Sequence, residues 1–170
     1  KTILIPENGK LPDYMQWVLW VFLISYSNFL DAGQKRVFRV TFANEGVYDY
    51  GGPYREVFIQ CCEELQTPGL LPFLLPSPNQ RSSVGQEQEK FIVNPSQTSA
   101  SSLEYYRFIG RMIGMAIRGE ICLPLNLPSL IWKRLVGDEV DKHDIEKVDF
   151  NFAQHLKSLL EAEGKFKILF

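Results

Sequence analysis

Apolar residues along this chain recur with two different periods, and each change of period marks an element. Between Val37 and Ala43, Phe38, Val40 and Phe42 alternate with Arg39 and Thr41, the period of two expected of a half-buried strand. Across residues 54–66, Val57, Phe58, Cys61, Cys62 and Leu65 stand at i, i+1, i+4, i+5 and i+8, which puts them on one face of a helix. Pro53 suits the first turn of that helix, where a missing amide costs nothing. Gly46 and the Gly51-Gly52 pair ahead of it supply turn chemistry. The two cysteines read as packing on the buried face, because free cysteine is among the most buried residue types.

The strongest helical pattern covers residues 103–118. Tyr105, Ile109, Met112 and Ala116 form one stripe, and Tyr106, Ile109, Ile113 and Ile117 form its neighbour. Together they make an arc broad enough to predict a central, mostly covered helix, capped by Ser101 or Ser102. Gly110 and Gly114 lie four apart on it, each costing ~1 kcal/mol of helix propensity; that cost predicts another backbone approaching closely. A shorter helix is expected over 127–136, with Leu130, Ile131 and Leu135 inward and Gly137 ending it. Asp149 then caps a last helix in which Phe152, Leu156, Leu159 and Leu160 point inward and Gly164 stands just past the end.

Short strands are predicted near 73–75 and at 91–93, the second closed by Asn94-Pro95. Residues 77–89, with Ser82, Ser83, Gly85 and several glutamines, read as a mobile surface loop. The acidic run of Glu139, Asp141, Asp144, Glu146 and Asp149, broken by Lys142 and Lys147, reads as a solvated turn and helix cap. At the N-terminus, Trp17 to Ile24 are eight consecutive apolar residues, too few for the ~20 that a membrane span needs. With Asp13 as cap and Asp31-Ala32-Gly33 as stop, they predict a packed or inter-domain contact helix. No membrane insertion is expected. The organisation is therefore an N-terminal segment, 1–35, and a body, 36–170. The expected fold class is α+β and predominantly helical, with a few short strands.

Composition narrows the chemistry. A chain of 170 residues, 45% hydrophobic, can bury a core without metal or disulfide staples. A net charge of −2 supplies no positive field for nucleic acid. Three cysteines with no CxxC pair and two histidines offer neither a zinc site nor a redox dithiol, and no cofactor is expected. Free thiols suit a reducing intracellular setting, cytoplasmic or nuclear. Asp49, Arg55 and Glu56 invite an acid–base reading. Asp49 holding the Gly-Gly turn and Glu56 favouring a helix start explain them more simply.

In order along the chain stand Gly46, Asp49, Gly51, Gly52, Arg55 and Glu56; then Asn94-Pro95; then Phe108, Gly110, Arg111, Gly114, Ala116 and Ile117; then Val136-Gly137 and Asp144-Ile145-Glu146-Lys147-Val148-Asp149. This succession, from about Arg36 to Phe170, resembles the N-terminal lobe of HECT-type E3 ubiquitin ligases, and in particular its large subdomain. The resemblance implies that ubiquitin passes from an E2 cysteine to a ligase cysteine as a thioester, and then to substrate lysines. It implies that the nucleophile, in a Thr-Cys context, belongs to a later lobe, so that no residue here is catalytic and this chain alone is inactive. An E2-gripping subdomain is expected after Lys165–Phe170. The implied partners are ubiquitin-loaded E2, ubiquitin and protein substrates. Phe91, on the matching strand, is an implied non-covalent ubiquitin contact. The hydrophobic 13–30 segment departs from the family's polar helix. A non-catalytic HECT-like interaction module is the alternative reading.

Overall fold

The alternation at residues 38–42 does become a strand. The computed structural model describes residues 2–5, 36, 38–42 and 51–168. The expected 13–30 helix, its cap and stop, and the turn at Gly46 to Asp49 lie outside them. The described residues divide between two units, one reaching Phe73 and including Ser96–Leu125, the other holding Leu74–Pro95 and the chain from Asn126.

In the first unit, β1 (Thr2–Ile5) pairs in parallel with β2 (Arg39–Phe42), Thr2 opposite Arg39 and Ile5 opposite Phe42. Phe38 and Val40 are buried, as the period of two requires. Helix α1 (Gly52–Gln66) buries Val57, Phe58, Cys61, Cys62 and Leu65 together with Tyr54. The Tyr54 ring packs 4.5 Å from Phe38 and 5.2 Å from Phe58, centroid to centroid. The long helix of this unit, Ala100–Arg118, buries Phe108, Ile109, Met112, Met115 and Ala116. Tyr105 and Tyr106 flank the Phe73 ring at 4.6 and 5.7 Å, and the Tyr106 hydroxyl donates to the Phe73 carbonyl at 3.0 Å.

Two expectations for that helix are corrected. Its cap is Ser99, whose hydroxyl accepts from the Ser102 amide at 3.1 Å; the Ser102 hydroxyl is engaged by Gln97 instead. Nor is the helix covered all round. Leu103, Arg107, Gly110, Gly114 and Ile117 fall on its exposed face, and Ile117 is 73% exposed. Among the described residues nothing stands within 4 Å of a Cβ built on Gly110 or Gly114. The 3.6-residue period that buries 108, 109, 112, 115 and 116 turns these five positions outward.

In the second unit, β3 (Leu74–Pro76) pairs antiparallel with β4 (Phe91–Val93). The intervening stretch, expected as a mobile loop, is a built structure. Its five-residue helix α2 (Pro78–Ser82) is capped by Ser77, whose hydroxyl accepts from the Gln80 amide. The Ser77 amide donates to the Lys90 carbonyl at 2.9 Å, and Ser77 and Asn79 are buried. The Ala100–Arg118 helix is α3 in chain order; α4 (Ser129–Val136), α5 (Lys142–Val148) and α6 (Phe150–Ile168) follow. Gly137 closes α4 and the Asp149 carboxylate accepts from the Phe152 amide, both as expected.

The remaining differences share one cause. Leu135, Phe152, Leu156, Leu159 and Leu160, expected inward, are exposed, because periodicity identifies an apolar face without supplying the surface that covers it. Gly164 lies within α6, not past its end. The acidic segment does supply an exposed turn and a helix cap, Asp141 capping α5, but it continues into that helix and its Asp144 carboxylate is buried.

Candidate functional site

At the start of α1, Gly51 adopts φ +117°, a left-handed conformation that side chains beyond glycine rarely tolerate. This lets its carbonyl accept from the Arg55 amide at 3.2 Å and begin the helix. The Arg36 guanidinium lies over the Tyr54 ring, 5.6 Å from its centroid. A Cβ on Gly51 would stand 2.9 Å from Arg36 Nη2. Sequence reasoning missed Arg36, since a cation over an aromatic ring leaves no local pattern. Gly51, Gly52, Arg55 and Glu56 do gather at this end of α1. Arg55 is exposed with no carboxylate paired to it among the described residues, and Glu56 accepts from Gln60 at 3.0 Å. Glu56 sits beyond the first turn, so its favourable interaction with the helix dipole is weakened. Asp49 lies outside the described residues.

The cysteines divide as their surroundings dictate. Burial pushes the Cys61 thiol well above its ordinary range, with Glu64 and Cys62 adding to the effect. Cys62 is pushed to about 11, first by burial and then by Glu63. The void beside Cys61 is about 20 Å³, room for roughly one water. A protonated thiol without access is a poor nucleophile. Cys122 is exposed.

The second unit holds a connected set of polar groups. Lys133 Nζ of α4 lies 2.6 Å from Asp144 Oδ2 of α5. Asp141 and Asp144 form a reciprocal capping box, the Asp144 amide donating to Asp141 Oδ1 at 2.9 Å and the Asp141 amide to Asp144 Oδ2 at 3.0 Å. The Lys133 hydrogen bond, followed by the Asp141 amide, holds the Asp144 carboxyl down to about 2. Asn79 Nδ2 donates to the carbonyls of Gln86, Glu146 and Lys147, and Asn79 Oδ1 accepts from the Phe150 amide. None of these long-range partners is encoded by local spacing; only the Asp-x-x-Asp of the capping box was there to be read.

From these turns α6 carries an open apolar stripe of Phe152, Leu156, Leu159 and Leu160. These positions fall at i, i+4, i+7 and i+8, a single helical face. Phe152 is 53% and Leu159 68% exposed. Beside them α5 and α6 border an open groove of about 510 Å³, lined by Ile145, Leu156 and Leu160 with Lys142 and Lys157. Phe91 is buried on β4, its amide donating to the Asn126 carbonyl at 2.8 Å, while Val93 is exposed. Among the described residues no cluster of His, Cys, Asp or Glu is arranged to hold a metal, and no helix is long and apolar enough to cross a membrane.

Comparison with known proteins supplies the context for this arrangement. A family model described as HECT-domain (ubiquitin-transferase) matches residues 59–169. The E3 ubiquitin-protein ligase HERC2 of Mus musculus is 37% identical over 129 residues, covering 76% of this chain. The probable E3 ubiquitin-protein ligase HECTD4 of Homo sapiens is 33% identical over 127 residues, covering 72%. The E3 ubiquitin-protein ligase pub3 of Schizosaccharomyces pombe is 31% identical over 128 residues, covering 75%. The aligned region spans 3% of the length of each of the first two proteins and 15% of the third.

Proposed function

We propose that this chain, which belongs to the HECT-domain (ubiquitin-transferase) family, is the scaffold part of an E3 ubiquitin-protein ligase, and that α6 packs against the part of the ligase that grips the ubiquitin-loaded E2. The observation that carries this reading is the open stripe of Phe152, Leu156, Leu159 and Leu160. Four large apolar side chains on one exposed helix face lose contact with water when a partner covers them, which favours association by about 25 cal/mol for each Å² removed.

The reaction served is a thioester exchange. A ligase thiolate attacks the ubiquitin carbonyl, the bond to the E2 sulfur breaks, and the E2 thiolate departs. A substrate lysine amine then attacks the new thioester, loses a proton, and releases the ligase thiolate. Splitting acyl transfer in this way is nucleophilic covalent catalysis. Neither Cys61 nor Cys62 suits it, being buried and held protonated. The contribution of this chain, whose body spans residues 36–170, is to scaffold and orient the parts of the ligase that carry out these steps. The second, non-covalent ubiquitin contact implied at Phe91 would need that ring at the surface, and it is buried on β4. The ligase works in the reducing cytoplasm or nucleus, which keeps the three thiols free.

The test is discharge of a ubiquitin-loaded E2 by the full-length ligase carrying Phe152→Asp or Leu159→Asp. Both changes place a charge on an already exposed surface, so the fold should survive. Discharge at subsaturating E2 should fall by at least tenfold. Unchanged discharge would remove α6 as the docking face.

A further inference from the structure

We draw no further inference here: the strongest candidate, the open apolar face of α3 formed by Leu103, Gly110, Gly114 and Ile117, carries none, since nothing among the described residues shows what covers it.

Discussion

Lys133 Nζ and Asp144 Oδ2 stand 2.6 Å apart, joining α4 to α5 through a carboxylate that is 2% exposed. The same carboxylate is held by the Asp141 amide at 3.0 Å. Its folded pKa of about 2 lies below the ordinary 3.8. A depressed carboxyl pKa stabilises the fold above the unfolded value, and that contribution disappears as pH falls through the folded one. Thermal unfolding followed from pH 5 to pH 2 should therefore show a loss of Tm beginning near pH 4. Asp144→Asn should lower Tm at neutral pH and flatten the part of the acid slope due to this group. An unaltered slope in that variant would show that the pair does not contribute. Lys133 is raised by the same hydrogen bond, so its share persists at neutral pH and is lost only above the ordinary lysine range.

Gly110 and Gly114 lie on an open helix face, and glycine there costs helix propensity without a described neighbour needing the space. Gly110→Ala and Gly114→Ala should each stabilise the protein by about 1 kcal/mol. For a domain of this size that corresponds to a Tm rise of about 2–4 °C. A fall in Tm would mean that another surface approaches these positions closely.

Gly51→Ala should act in the opposite direction. Its φ of +117° is strained for any residue with a Cβ, and the new carbon would meet Arg36 Nη2 at 2.9 Å. Because that atom ends a flexible side chain, most of the penalty is backbone strain, on the order of 1–2 kcal/mol. Chemical denaturation would measure it as a lower midpoint, and no change would show that the turn relaxes freely.

Thiol labelling separates the three cysteines. At neutral pH in folded protein, Cys122 should react readily, while Cys61 and Cys62 should react only after unfolding. Mixed with loaded E2, the 170-residue chain should form no reductant-sensitive ubiquitin adduct. Such an adduct, lost on Cys61→Ser or Cys62→Ser, would reverse the core assignment of these residues.

Local chemistry made much of this fold legible. The strand over Arg39–Phe42, the buried face of α1, the burial of both adjacent cysteines, the Asp149 cap and the Gly137 stop all follow from spacing within about one or two helical turns. The succession of glycine turns and helix motifs also points to the family. The site was much less readable. Asn79 meets Phe150 across 71 positions and Lys147 across 68, and no short-range pattern announces such a partner.

Sequence alone determined where the longer helices and most strands form and which of their faces are apolar, because backbone preference and side-chain periodicity are local properties; the short helices α2 and α5 escaped it. Tertiary structure decided which apolar faces are covered. It buried the Cys61 side of α1, exposed Ile117, and opened Phe152 and Leu159 to solvent. Covering a face requires a second surface, and the distance at which one arrives depends on how remote segments pack. The same dependence turned a segment expected to be mobile into an ordered stretch around buried Asn79.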